Sequence, residues 1–386
     1  MRILLSCLQA LRPHNVPAYA FWEPYFKRGI EEAGHEWVEV PDVDWVEGLV
    51  HEANSAEGAA WRDRTWSRTA AFAATCGADL FLAYLFPRQV EPSAVSAIRA
   101  AGMPCVNFFC DNVRDFRTVP DVYRPFDLHW VPEHAALAMY RRAGLRHLHA
   151  AMPCWVPPEQ RTWDHPDTYG PTFVGSRDEQ RERLFADVLA HGGEVTLRGP
   201  GWLPEDVRPA PPPAPVSAAT TIARQVAFVR EEGPAAWLRK MAHRAHVPVP
   251  DEAFAAAAAP SAFGDAYIRV LQQSEVSIGV NRYPAFRHPF DRPGTYSRLR
   301  DIEAPMMGAC YLTEYAPGLE SMYDLGTEIE TYRDAEEMVE AVRRLRADPE
   351  RRRSLRRRGQ ERALRDHSVA ASVQRVLADI HGPAVA

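Results

Sequence analysis

Residues 78–109 read ADLFLAYLFPRQVEPSAVSAIRAAGMPCVNFF, and this stretch decides the fold. Ala78–Tyr84 is a short, nearly unbroken apolar run of strand length and reads as a buried strand. Pro92–Ala101 carries its apolar residues at helical spacing. It opens on a proline, which the first turn tolerates, and stops at Gly102, which suits a left-handed cap. Cys105–Phe109 is apolar again, and Asp111 and Asn112 follow it closely. Strand, helix and strand joined by short links form the unit of a parallel α/β sheet.

The alternation extends in both directions. Upstream, Arg2–Leu8 is a strand, Tyr19–Ala33 a helix ending at Gly34, Trp37–Val40 a strand and Trp61–Thr75 a helix with Gly77 past its end. Downstream, Leu128–Val131 is a strand and Glu133–Ala143 a helix closed by Gly144. These elements make a first domain over 1–155. Pro153, Pro157, Pro158, Pro166 and Pro171 then crowd together, which marks 156–171 as a linker.

A second α/β domain spans 172–365. It opens with strand Thr172–Gly175, helix Asp178–His191, strand Glu194–Arg198 and the turn Gly199-Pro200-Gly201. Prolines at 204, 209, 211, 212, 213 and 215 exclude helix and central strand there. Residues 218–246 return to helical spacing. The insertion at about 204–260 reads as an exposed helical hairpin, with an acceptor lid or an oligomer contact as the other readings. The alternation resumes with helix Asp265–Gln273 and strand Val276–Val280, then helix Ser297–Met307 and strand Ala309–Thr313. Two long helices follow, Asp334–Ala347 and the arginine-rich Pro349–Arg365; residues 366–386 hold a terminal helix.

Composition narrows the function classes. The chain has 386 residues, 46% hydrophobic and 25% charged, a globular composition. No stretch approaches the roughly 20 apolar residues of a membrane span. A net charge of −6 argues against general nucleic-acid binding. Lys27 and Lys240 are the only lysines. The six cysteines form no CxxC pair and no Cys/His group at metal spacing, and they suit a reducing compartment. A cytoplasmic location is expected. His129, His134, His147 and His149 are irregularly spaced and read as structural or surface residues.

In open parallel sheets, ligands bind beyond the carboxyl ends of the strands. The Gly175-Ser176-Arg177 turn opens a helix, and backbone N–H groups at a helix start suit a phosphate. Arg177 and Arg181 add guanidinium forks. Tyr296, Ser297 and Arg298 form a second group, with Ser297 expected to cap a helix. Glu303 lies nearly two turns on, where a carboxylate suits the vicinal hydroxyls of a ribose.

Here the residues reach a known family. The stretch RLRDIEAPMMGACYLTEYAPGLESMYDLGTEIETYRDAEEMVEAVRRLRADPERRRSLRRRGQERALRDH (298–367) resembles the C-terminal part of CgeB-like glycosyltransferases of the GT-B type. TFVGSRDEQRERL with LRGPGW resembles the start of the same domain, and VNFFCDNVRDF with FDLHWVP the family's N-terminal domain. The resemblance implies two Rossmann-like domains with parallel sheets facing a central cleft, and a terminal helix that crosses back to the first domain. It implies a nucleoside-diphosphate sugar as co-substrate, with no cofactor and no essential metal. Ser176, Arg177 and Arg181 then serve the diphosphate, Gly199 and Gly201 the base, Tyr296, Ser297 and Arg298 the phosphates, and Glu303 the ribose. The related larger group often has a second glutamate eight residues before the position of Glu303; here that residue is Thr295.

Transfer needs a hydroxyl-bearing acceptor: a glycan, a secondary metabolite or a protein. An inverting reaction needs a base, for which Asp111 and His14 are the candidates. A homodimer is compatible with this reading. A sugar-nucleotide epimerase and a non-catalytic nucleotide-sugar-binding or assembly protein are the competing classes.

Overall fold

A computed structural model describes residues 1–14, 16, 19–52, 55–203, 217–244, 247–283 and 285–382. The proline-rich run at 204–216 lies outside the described residues. The chain divides into two compact units. The first comprises Met1–Pro157, Ser297–Glu303 and Arg362–Ala386; the second comprises Pro158–Tyr296 and Ala304–Glu361.

The first unit is built on six parallel strands: β1 (Arg2–Cys7), β2 (Glu36–Val38), β3 (Leu80–Tyr84), β4 (Cys105–Phe108), β5 (Leu128–Val131) and β6 (His147–His149). Their order is β2-β1-β3-β4-β5-β6. Leu4 pairs with Phe81, and Leu82 with Val106. β3, β4 and β5 are buried at every residue, which explains their unbroken apolar sequences. β6 reads His-Leu-His and is only half-buried; its two histidines hide an edge strand from hydropathy patterning. Helix Val369–His381 packs on helix Tyr19–Glu32. Gly29 permits the approach, since a Cβ there meets the Val369 side chain at 2.2 Å.

The second unit also has six parallel strands: β7 (Thr172–Val174), β8 (Thr196–Arg198), β9 (Ala258–Ala259), β10 (Ser277–Gly279), β11 (Tyr311–Glu314) and β12 (Glu330–Tyr332). They run β12-β11-β10-β7-β8-β9. β9 falls inside the alanine run, whose composition gives no strand signal.

The strand orders place one switch point in each sheet. From β1 the chain builds outward to β2 on one side and resumes at β3 on the other. From β7 it builds through β8 to β9, then returns to β10 across β7. Crevices open beyond the carboxyl ends of strands at such points. The residues after β7 and β10, and after β1 and β3, are therefore the places to look for a ligand.

Three features of the sequence find their place in the fold. Trp61, Trp66, Trp130 and Trp202 are buried, and each indole N–H donates to a backbone carbonyl, so they are core groups. In the arginine-rich helix Pro349–Asp366, Arg352 and Arg356, one helical turn apart, are buried and both clasp Asp167. The insertion forms helices Ala218–Glu232 and Pro234–Arg244, and the hairpin is docked along one side. Arg287 makes a bidentate pair with Glu232, and Phe228 meets Phe286 edge-on.

Candidate functional site

At the switch point of the second unit, two glycine turns lie against each other. Gly175 N–H donates to Arg198 O at 2.8 Å, Arg177 N–H to Pro200 O at 2.9 Å, and the Trp202 indole to Gly175 O at 2.7 Å. Gly199 has φ +131°, and a Cβ there falls 2.5 Å from Gly175 O. Gly201 has φ +90° and faces the Cβ of Arg177. Gly175, Ser176, Arg177, Gly199 and Gly201 are thus brought together at the ends of β7 and β8. Strain at such a position costs on the order of 1–3 kcal/mol before the clash is counted. Gly199→Ala is expected to lower stability by at least about 2 kcal/mol in a denaturant melt; an unchanged midpoint sinks this account of the turn.

The arginines here already have partners. Arg177 Nε pairs with Glu182 at 2.9 Å, its Nη1 with Asp251 at 2.6 Å, and its Nη2 donates to Val249 O. Arg181 Nη1 donates to Ser176 O at 2.8 Å and Ser176 Oγ at 3.2 Å, bracing the turn. The helix that follows, Glu179–Ala190, is capped by Asp178, whose carboxylate accepts from Gln180 N–H and Arg181 N–H. Ser176 is therefore not the cap, and an anion at this helix start meets a resident carboxylate.

After β10, the backbone N–H groups of Asn281 and Arg282 donate to Glu314 Oε2 at 3.1 and 2.9 Å. The Arg282 guanidinium grips Glu314 Oε1 at 2.6 and 2.8 Å. Burial works to lower the Arg282 pKa, but hydrogen bonding and the charge of Glu314 prevail and raise it. Sequence reading missed this pair. The rule that site residues follow strands covers Arg282, just past β10, and Glu314, which ends β11. Thr295 forms an antiparallel bridge with Arg282, and Tyr296 is buried edge-on to Tyr283.

Ser297, Arg298 and Glu303 gather with the first unit, whereas Tyr296 and the residues above belong to the second. The helix starts at Arg300, later than expected, and ends at Met306. Asp301, fully buried, accepts from Arg298 N–H at 3.1 Å and so ties the segment before the helix to its first turn. Glu303 is buried; it accepts from Tyr25 Oη–H at 3.1 Å and pairs with Arg300 at 3.3 Å. Tyr25 is a further residue that sequence reading missed.

In the first unit, His14 Nε2 lies 2.8 Å from Asp44 Oδ2, with both side chains about 5% exposed. Asp44 also accepts from Leu11 N–H and Glu47 N–H. A carboxylate only accepts, so Nε2 carries the proton and Nδ1 remains as the basic atom. An imidazole oriented by a buried carboxylate is how a general base is built. Asp44 gave no signal in the sequence.

Asp111 starts the short helix Asn112–Asp115 without capping it through its side chain. It sits beside Cys110 and beside Glu133, which is fully buried. Burial pushes the Glu133 carboxyl up to about 8, the Asp111 charge adding to the effect, against hydrogen bonds from Asn112 and Val113 that hold it down. Among the described residues, no group of three or more His, Cys, Asp and Glu is placed to hold a metal ion. No helix among them is long and apolar enough to cross a membrane.

Two α/β units on parallel six-stranded sheets, with glycine turns at a switch point, define the GT-B fold of glycosyltransferases. Residues 233–378 match the family described as glycosyl transferase-like. The chain thus has the GT-B fold and carries a glycosyl transferase-like segment over 233–378. No curated protein matches the sequence. Among solved structures, sucrose-phosphate synthase from Thermosynechococcus elongatus superposes with a TM-score of 0.57 at 13% identity, covering 98% of each chain. HepE from Anabaena, solved in complex with UDP, gives 0.55 at 11% identity over 99% of this chain and 100% of its own. AviGT4, a glycosyltransferase involved in avilamycin A biosynthesis, gives 0.54 at 14% identity over 99% and 98%. At these identities the likeness is one of fold.

Proposed function

We propose that this protein transfers a sugar from a nucleoside-diphosphate sugar to a hydroxyl of a glycan, secondary metabolite or protein, without an essential metal, and that it is CgeB-like. The observation that carries the reading is the pair of glycine turns at the carboxyl ends of β7 and β8, beside the switch point, within a chain whose residues 233–378 are glycosyl transferase-like. A floor without Cβ atoms lets a ligand approach the backbone closely.

The diphosphate takes over guanidinium donors now held by carboxylates. The Arg177–Asp251 arm is the one to exchange, because the Asp251 side chain is 62% exposed and such a pair is weak. Arginine then stabilises the charge left on the departing diphosphate, a preorganised electrostatic effect. Ser176 and Arg181 assist at the same turn, Gly199 and Gly201 flank the base, and Tyr296, Ser297 and Arg298 approach the phosphates. Glu303 meets the ribose. His14, held by Asp44, or Asp111 takes the acceptor proton if the reaction inverts. HepE was solved with UDP and with UDP-glucose, so uridine nucleotides are the first to try. We place the activity in the cytoplasm.

The test is a thermal-shift panel of UDP, GDP, dTDP and CDP, with and without magnesium. One diphosphate is expected to stabilise the chain selectively, by about 2.7 kcal/mol at a hundredfold excess over its Kd. The shift should persist without magnesium and disappear in Glu303→Ala. Release of the nucleoside diphosphate from the matching sugar donor then separates transfer from mere binding. If no nucleotide shifts the melt, the donor-site reading is wrong.

A further inference from the structure

The second unit holds a cavity of about 780 Å³ that the donor reading does not use. One wall is the hairpin helix Pro234–Arg244, another the start of helix Glu179–Ala190, and the third the loop 285–290. The volume is that of a pocket for a small organic molecule.

Its walls combine two chemistries. Phe286 and Phe290 supply aromatic faces, each with His243 edge-on at 5.2 and 5.0 Å, and Ala242, Val247 and Val249 extend the apolar lining. Arg183, Arg239 and His288 supply the polar edge. Among the described residues, the lining holds no carboxylate. Glu179 reaches His243 and is occupied by it. Arg287 is occupied by Glu232.

Arg239 is different. It donates from Nη1 to the carbonyls of Phe286 and Arg287, at 3.3 and 2.9 Å, and no carboxylate among the described residues pairs with it. Its charge is half-buried and balanced only by two carbonyl dipoles. A second sign of excess positive charge is His288, whose pKa is lowered by burial and then by Arg239 and Arg287. An apolar chamber with an uncompensated guanidinium at its edge has the complementarity of an amphipathic anion.

We propose that this cavity binds an organic anion whose aromatic or apolar body lies along Phe286 and Phe290 and whose carboxylate, sulfonate or phosphate meets Arg239. Such a ligand gains apolar burial and a charge-assisted hydrogen bond together. The cavity abuts the donor turn, since Val249 in its lining accepts from Arg177 Nη2, but it shares no lining residue with the glycine turns and the proposal does not depend on the donor reading.

The probe is 8-anilinonaphthalene-1-sulfonate, titrated by fluorescence against the full chain. One saturable site per chain is expected, unaffected by UDP. 2-Naphthoate should displace the probe, and the neutral 2-naphthylmethanol should be at least about tenfold weaker. Arg239→Gln should weaken probe binding about tenfold. Ala242→Trp, which fills the chamber while leaving the Arg239 hydrogen bonds alone, should abolish it, and a melting curve for each variant shows that it is folded. If Arg239→Gln does not fold, Ala242→Trp decides. Probe binding that survives in the folded variants, or equal displacement by the neutral alcohol, overturns the proposal.

Discussion

Asp167→Ala is expected to lower the stability of the chain by about 3 kcal/mol, the low end for breaking a buried ion pair. That corresponds to a fall in melting temperature of roughly 6–12 °C for a unit of this size. Asp167 accepts from Arg352 Nη2 and Arg356 Nη2, both at 2.6 Å. The two arginines are 6% and 4% exposed, and their Nη groups also donate to the carbonyls of Leu345, Arg346, His165 and Ser274, while each Nε is buried without a partner among the described residues. Removing the carboxylate leaves two buried guanidiniums with dipoles but no countercharge. It also removes two of the contacts that tie the 158–171 segment to this helix. The Asp167 side chain is 28% exposed, so water offsets part of the loss. The neighbouring Asp164–Arg353 pair is the control: its side chains are 65% and 57% exposed, and Asp164→Ala should leave the melt unchanged. Equal effects of the two substitutions would falsify the clamp.

The parallel α/β architecture was legible because buried strands such as β3 and β4 must be apolar on both faces and because glycine closes so many of the helices. The strand-end rule reached Gly175, Gly199 and Asp111 for the same reason: it follows from topology. What stayed hidden depends on which distant groups meet. His14 finds Asp44 thirty residues away, and Glu303 finds Tyr25 across 278 residues. No spacing pattern encodes such meetings. The clamp in the arginine run stayed hidden because composition alone does not say which of its residues face Asp167. Likewise the Ser176 turn read as an open helix start, whereas Asp178, two residues on, already fills it. β6 and β9 escaped because a His-Leu-His edge and an alanine run lack the hydropathy contrast that marks a strand.

Glu133→Gln is expected to make the protein more stable at pH 8.5 and to leave its stability near pH 4.5 little changed. Glu133 is fully buried; its Oε2 accepts a long 3.3 Å hydrogen bond from Val113 N–H, Asn112 adds to the stabilisation of the charged form, and Oε1 has no hydrogen-bond partner. Burial is the main reason its carboxyl is pushed up to about 8, and the nearby Asp111 charge adds to it. The sign follows from linkage. Below pH 4.5 the carboxyl is protonated in both folded and unfolded chains, and it costs nothing. As the pH rises, the unfolded chain releases the proton first while the folded chain keeps it, so folding is progressively disfavoured until the folded group ionises near pH 8. At about 1.4 kcal/mol per pH unit across that window, the accumulated penalty is on the order of 5 kcal/mol. Glutamine keeps the shape and the acceptor for Val113 but never ionises. The difference in unfolding free energy between variant and wild type should therefore grow steadily from pH 5 to 8 and then level off, whereas a purely steric effect of the amide gives a constant offset. Urea melts of both proteins at half-unit steps measure this directly, because titrating groups not coupled to Glu133 cancel in the difference. A difference that does not vary with pH means that Glu133 ionises as an ordinary carboxylate, and that its pocket is wetter than its burial implies.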